Sequence, residues 1–385
     1  MHSACYIATI AMEKLKKKVF VGLSGGVDSA VSAALLKKDG YDVVGVFIKV
    51  WSPDWLPCTW REDRRDAMRV AAVLNIPFIT LDLEKEYKEG VVDYMVSEYE
   101  AGRVPNPDVM CNKSVKFGAF LNFALKNGAD LVATGHYARI VKSQKVSACR
   151  QAGKVKGGVE KSEYQLLRGK DGNKDQSYFL WTLTQRRLEY ILFPVGHMIK
   201  PEVRALAKKF NLPVAEKKDS QGLCFVGKID MKEFLAHFSE KKNGGVLSEN
   251  GDIIGTHDGA FFYTIGQRHG FQILKGGSEQ TPYYVVAKDV AKNTITVSRL
   301  PREEKFATCD VNLKYENWVS GERPTDGIYT AKFRYRQEDI ICHLKNNGNE
   351  AYVHFSVPEN VAEGQSIVIF DGEICLGGGI IGKSE

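Results

Sequence analysis

The chain has 385 residues, 44% of them apolar and 26% charged, and a formal net charge of +6. That length can bury more than one core and favours two or three domains, and no apolar run approaches the roughly 20 residues that cross a bilayer. Eight cysteines without a C-x-x-C pair, and a first dozen residues with no basic segment ahead of their short apolar part, argue against export, so thiols in a reducing, cytoplasmic compartment are expected.

The first predicted elements lie in KVFVGLSGGVDSAVSAALLKK, from Lys18 to Lys38. Val19 to Leu23 fits a strand buried on both faces, Ser24, Gly25 and Gly26 break it, and Ala30 to Lys38 has helical composition. A strand entering a helix through two glycines gathers unpaired N–H groups and the hydroxyls of Ser24 and Ser29 around an anion, which makes a phosphate site. The loop is not G-x-x-x-x-G-K-[ST]. Asp28 stands where that pattern leads one to expect a lysine, so a triphosphate would need a divalent cation, and a carboxylate can hold one. SGGVDS resembles the signature of the ATP pyrophosphatases.

Tyr41 to Val50 is a second apolar run, Asp63 to Leu74 reads as a helix, and Pro77 to Leu81 as a third strand. Helical segments follow at Leu83 to Glu100 and Lys113 to Lys126, and a fourth strand at Asp130 to Thr134. Strands alternating with helices predict a parallel α/β sheet with its ligands beyond the carboxyl ends of the strands. Gly135 and His136 follow the fourth strand, in the same loop layer as Gly25. Between the two helical segments, Pro107 stiffens a turn expected to present Asp108 and Cys111. Cys111 reads either as a small buried hydrophobe or as a thiol activated at a helix start.

Lys142 to Ser162 is polar, with six basic residues against Glu160. It reads equally as a phosphate-attracting segment and as a solvated loop. Lys174, Asp175 and Gln176 precede an aromatic-apolar stretch and are expected to face a ligand. Pro201 to Asn211 is a helix with proline at its start, and Cys224 follows in a glycine-containing loop beside Lys217 and Lys218, a setting that suits a reactive thiolate. The cysteines show no zinc-ligand spacing. After a short helix from Met231 and the turn YTIGQRHG, short strands are predicted at Tyr283 to Lys288, Thr294 to Ser298, Tyr329 to Tyr335, Ile340 to Leu344, Ala351 to Phe355 and Gln365 to Phe370, which implies a small terminal β-barrel. CLGGGII at 375–381 lacks an acidic partner and a following helix, so it reads as a closely packed last strand.

Eight segments, SGGVDS, NPDVMCN, ATGHYAR, KDQSYFL, KDSQGLCF, YTIGQR, RYRQ and CLGGGII, occur in the order found in the bacterial tRNA-specific 2-thiouridylases, and the chain resembles that family over nearly its whole length. SGGVDS alone would also fit synthetases that use ammonia. The resemblance implies an ATP pyrophosphatase-like catalytic domain at 1–225, a small central tRNA-binding domain at 226–297 and a β-barrel at 298–385. It implies adenylation of the C2 oxygen of wobble uridine 34 by ATP with Mg²⁺, then sulfur transfer from a cysteine persulfide. Gly22, Leu23, Ser24, Gly25, Gly26, Val27, Asp28, Ser29, Ile48 and Gly135 would form the ATP site, with Asp28 toward Mg²⁺. Asn106, Pro107 and Asp108 would face the target uridine, and His136, Lys174, Asp175, Gln176, Arg334, Tyr335 and Gln365 would contact tRNA. Cys224 would carry the persulfide, Cys111 would be its partner thiol and Asp108 the acid or base. The implied partners are tRNA and a persulfide-donor protein, met by a monomer. Ile48 in place of the family's usual methionine, the extension at 1–12 and the long basic segment 142–162 are departures that remove no catalytic group.

Overall fold

The computed structural model describes residues 16–55, 60–144, 162–219, 231–239, 241–274, 282–299, 308–348 and 350–382. Cys224, the extension at 1–12 and all but the ends of the basic segment lie outside the described residues. Among the described residues no helix is long and apolar enough to cross a membrane.

The first seven strands are β1 (Lys18–Gly22), β2 (Asp42–Lys49), β3 (Phe78–Asp82), β4 (Leu131–Ala133), β5 (Ala138–Gln144), β6 (Ser162–Arg168) and β7 (Ile191–Leu192). Five of them form one sheet in the order β3-β2-β1-β4-β7 with every pairing parallel. The expected α/β sheet is therefore present. β1 shows no polar alternation because both of its faces are covered: Val19 and Val21 enter one core with helices α1 (Val27–Lys38) and α2 (Trp60–Val73), while Phe20 enters another with Phe117 and Phe120. Each such side chain contributes roughly 1.5–3 kcal/mol on burial.

The helix expected from Lys113 starts six residues earlier. Asn106 caps it, accepting a hydrogen bond from Val109 N at 3.3 Å, and Pro107 takes the first helical position, where its missing N–H costs nothing. Asp108 and Cys111 consequently sit on the helix, not in a turn between helices. The stretch Cys111–Phe120 is wound as a π-helix, a form that recurs at functional sites.

The second sheet takes β8 (Gly244–Leu247), β9 (Ile253–His257), β10 (Gln272–Ile273), β11 (Tyr284–Asp289) and β12 (Thr294–Ser298) in the order β10-β9-β8-β12-β11. Residues preceding these strands or lying between them pack on the first unit through aromatic contacts, Phe234 and Phe238 with Trp51 and Phe261 with Tyr99. The third contains β13 (Thr308–Trp318), β14 (Gly327–Lys332), β15 (Ile340–Asn347), β16 (Glu350–Glu359), β17 (Ser366–Asp371) and β18 (Ile374–Ile381). These run β13-β16-β15-β14-β17-β18, and β18 pairs back with β13, closing a six-stranded barrel. The glycines of β18 are steric necessities: a Cβ on Gly378 would lie 2.0 Å from the Ile367 carbonyl. Close packing of a last strand is what the segment provides.

The β5–β6 hairpin departs from the expected division of the chain. It leaves the parallel sheet and adds to the barrel, with Ile374 opposite Leu167 and Cys375 opposite Leu166. Its ladder reaches Gln144 opposite Ser162, and residues 145–161 between them lie outside the described residues.

Candidate active site

β1 ends at Gly22, and the chain turns through Ser24, Gly25 and Gly26 into α1. Gly25 has φ +74°, and a Cβ there would stand 2.4 Å from the Asp63 carbonyl oxygen on α2, so only glycine fits. Ser29 folds back over the loop: its hydroxyl accepts from Ser24 N at 3.2 Å and donates to the Gly26 carbonyl at 3.1 Å. Gly135, beyond β4, presses against the same turn, since a Cβ on it would lie 2.6 Å from Ser29 N and 2.8 Å from the Asp28 carbonyl carbon. Ile48 is buried near the end of β2. Residues 22–29 and Gly135 thus meet at the first turn of α1, with Ile48 near the end of the neighbouring strand β2.

Asp28 is not a bare carboxylate. Lys200 Nζ lies 2.8 Å from both of its oxygens and the Tyr137 hydroxyl donates to one of them at 2.7 Å. Lys200 also meets Asp219 at 2.9 Å, and Asp219 is held by Lys174 at 2.5 Å and by Arg204 at 2.8 Å. Burial works against the Asp219 carboxylate, but the ammonium groups of Lys174 and Lys200 outweigh it and bring its pKa down to about 2. Burial, reinforced by Asp28, pushes the Tyr137 hydroxyl well above the ordinary phenol range, so it stays a donor. Two residues before Asp219, Lys217 is fixed to Asp63 at 2.8 Å and Asp66 at 2.7 Å. The segment leading toward Cys224 is fastened to both sides of the nucleotide loop.

Lys174, Asp175 and Gln176 do not project together toward a ligand. Lys174 turns to Asp219. Asp175 is spent on its local neighbours, accepting from Gly169 N at 2.9 Å, Ser177 N at 3.1 Å and the Ser177 hydroxyl at 2.9 Å. Gln176 clasps Tyr137, its side-chain oxygen accepting from Tyr137 N at 3.0 Å while its own N–H donates to the Tyr137 carbonyl at 2.9 Å. Just beyond, the Tyr178 hydroxyl accepts from Asn106 Nδ2 at 3.3 Å and donates to the Ser366 carbonyl at 3.0 Å, and Asn112 Nδ2 reaches the Phe179 carbonyl at 3.4 Å. Residues 174–180 therefore join the nucleotide loop on one side to the helix bearing Asn106, Asp108 and Cys111 on the other.

Cys111 is fully buried and Asp108 is half-buried, one helical turn before it. His136 is only 6% exposed, with Nδ1 2.7 Å from the Thr134 hydroxyl and Nε2 3.4 Å from Lys116 Nζ. Burial, with Lys116 adding to it, holds its pKa well below the usual imidazole value, so it is neutral and covered instead of facing outward. On the barrel, Arg334 is exposed and Tyr335 is half-buried against Phe179, ring centres 4.8 Å apart. Gln365 is used as a clamp: its amide nitrogen, Nε2, donates to the Val104 and Pro105 carbonyls at 3.0 and 2.9 Å, fixing the approach to Asn106.

Sequence reasoning missed Tyr137, Lys200 and Arg204. Tyr137 and Lys200 meet Asp28 across 109 and 172 positions, whereas Arg204 reaches Asp219 across only 15, and the one available signal was the lysine absent from the SGGVDS loop. Among the described residues no group of three or more His, Cys, Asp or Glu is placed to hold a metal. Mg²⁺ nevertheless suits one carboxylate together with nucleotide phosphates and water, so Asp28 fits an ion that arrives with the nucleotide.

Three family models match consecutive parts of the chain: a tRNA methyl transferase HUP domain over residues 17–228, a tRNA methyl transferase PRC-barrel domain over 232–299 and an aminomethyltransferase beta-barrel domain over 309–381. Among similar proteins, the tRNA-specific 2-thiouridylase MnmA of Enterococcus faecalis is 44% identical over 375 residues, covering 96% of each chain. That of Geobacillus thermodenitrificans is 45% identical over 369 residues, 94% of each chain, and that of Lacticaseibacillus paracasei is 43% identical over 378 residues, 97% of this chain and 96% of the other.

Proposed function

The chain belongs to the tRNA-specific 2-thiouridylase family, and on that premise we propose how its own residues divide the work of a tRNA-uridine 2-sulfurtransferase. The enzyme adenylates the C2 oxygen of wobble uridine 34 with ATP and replaces that oxygen by sulfur from a cysteine persulfide, giving 2-thiouridine, AMP and pyrophosphate. The observation that carries the division of labour is the bridge 174–180, bonded to Tyr137 beside Asp28 and to the helix of Asn106 and Cys111. Both chemical steps occur at one carbon–oxygen bond of the base, so the distance between the phosphate loop and the Cys111 helix must be fixed, and a single short segment joins the two.

Residues 22–29 and Gly135 hold the triphosphate, and Ile48 lies on the adenine side. Mg²⁺ on Asp28 would offset phosphate charge as pyrophosphate leaves. Asn106, Pro107 and Asp108 line the pocket of the target base, which must be drawn from a single-stranded loop at a cost of a few kcal/mol. Asp108 is placed to take or give a proton there. In the second step the terminal sulfur of a Cys224 persulfide forms a bond to C2 and the C2–O bond breaks, AMP leaving with the electron pair. Cys111 thiolate then attacks Cys224 Sγ, breaking the S–S bond, so that sulfur stays on the base and the two cysteines end as a disulfide for an external thiol to reduce. Cys224 follows Asp219 by five residues, a tether of at most about 18 Å when extended, and Asp219 is bound to Lys200 on Asp28. The sulfur reaches Cys224 from a persulfide-carrying donor protein, and the enzyme works as a monomer that grips tRNA through the exposed Arg334 face of the barrel and the basic segment that follows β5 in the chain.

Incubation with ATP, Mg²⁺, unmodified tRNA and a persulfide donor, followed by nucleoside mass analysis, tests the reading. 2-Thiouridine with tRNA-dependent pyrophosphate release is expected. An aminated or methylated nucleoside would assign a different transfer to the same loop, and tRNA binding without pyrophosphate would reduce the chain to a binding module.

A further inference from the structure

The cation that the SGGVDS loop lacks in sequence is supplied in space. Lys200 opens the helix Lys200–Lys209, its side chain is 11% exposed, and its ammonium group touches Asp28 on one side and Asp219 on the other with the Tyr137 ring 5.9 Å away. Stability alone gives little reason for such a group, because a buried ion pair does about as well as a hydrophobic replacement. Lys174, Lys200 and Arg204 converge on two carboxylates, Asp28 and Asp219, beside the first turn of α1, whose N–H groups add partial positive charge. Asp171 accepts from Lys200 N at 2.9 Å and Lys217 is matched by Asp63 and Asp66, so each cation of the cluster has a carboxylate partner and a phosphate would reach Lys200 by displacing one of them.

Of the three cations Lys200 alone touches the loop. Arg204 is anchored away from it by the Ala215 and Lys217 carbonyls, both at 3.1 Å, and Lys174 by Asp219. We propose that Lys200 is the cation facing the β- and γ-phosphates of ATP, and that Asp28 and Asp219 hold it in place until it exchanges a carboxylate partner for phosphate. Asp28 is thereby released to the divalent ion that the nucleotide brings. The assignment rests on the reading that ATP is the nucleotide used.

Equilibrium binding of a non-hydrolysable ATP analogue, pyrophosphate and AMP to the full chain with Mg²⁺ tests it. A charge-assisted contact to the outer phosphates predicts that Lys200→Met weakens the analogue and pyrophosphate on the order of 10- to 100-fold and leaves AMP unchanged. Equal weakening of all three ligands, or of none, would overturn the assignment and leave Lys200 a purely structural ion pair. Should Lys200→Met fail to fold, Lys200→Gln, which keeps a hydrogen-bond donor but removes the charge, decides on the same three ligands: selective weakening of the analogue and pyrophosphate supports the proposal, and equal weakening or none overturns it. Wild-type protein that binds neither the analogue nor pyrophosphate would instead refute the ATP reading itself.

Discussion

Replacing Gly135 by alanine adds one methyl group where the end of β4 meets the first turn of α1. The new Cβ would lie 2.6 Å from Ser29 N and 2.8 Å from the Asp28 carbonyl carbon, whereas ordinary contact begins at 3.4 Å. Both opposing atoms are backbone, so neither can swing aside as a long side chain would. Gly135 does not have a left-handed φ, so the perturbation is steric and is not confounded by lost backbone freedom. Overpacking of this kind costs about 1–3 kcal/mol, and the strain is relieved by moving the Asp28–Ser29 peptide away from β4. That peptide belongs to the proposed phosphate cradle, and a displacement approaching 1 Å costs on the order of 100-fold in rate. Thermal unfolding should show a modest loss of stability, and tRNA-dependent pyrophosphate release should lose about 10- to 100-fold in kcat/KM for ATP while tRNA affinity holds. A folded Gly135→Ala protein with wild-type ATP kinetics would refute the placement of the nucleotide on this turn.

Acid should expose the Asp219 network. The folded state holds this carboxyl at about 2 against an ordinary 3.8, so its contribution is present above pH 4 and lost as the pH falls toward 2. The stability gap between wild type and Asp219→Asn in denaturant unfolding should narrow by about 2 kcal/mol over that window, and a constant gap would contradict the lowered pKa. Replacing 145–161 by a short turn keeps the ladder that ends at Gln144 and Ser162. If its lysines and Arg150 touch tRNA phosphates, the log–log salt dependence of tRNA binding should flatten by roughly 0.7–0.9 for each lost contact, and an unchanged slope would make the segment a solvated loop.

The parallel sheet was legible because its strands, covered on both faces, are written as apolar runs such as Val19 to Leu23, and because Gly25 and Gly26 punctuate the turn that follows. The barrel strands were legible as short β-rich segments between turns. The start of the helix at Pro107 was not, since Asn-Pro-Asp reads equally well as a turn until the Asn106 side chain is seen to cap Val109 N. Polar composition hid the β5–β6 hairpin, whose pairing with β18 joins residues some 200 positions apart. The same distance problem concealed Lys200, which lies 172 positions from Asp28. Adjacent polar groups misled in the opposite sense: Lys174, Asp175 and Gln176 look like one ligand-facing triplet, yet each bonds to a different part of the scaffold. Residue types announced the chemistry of the site, and long-range hydrogen bonds decided which groups remain available to perform it.

The central claim is that sulfur passes through Cys224 to the wobble base. Full-length protein loaded with radiolabelled persulfide sulfur, separated from the donor and mixed with ATP, Mg²⁺ and unmodified tRNA, measures that passage in a single turnover. Label should leave the protein and appear in 2-thiouridine at position 34 only when ATP is present, Cys224→Ser should take up no transferable label, and Cys111→Ser should load but release little. Equal transfer by Cys224→Ser, or transfer that proceeds without ATP, would contradict the account.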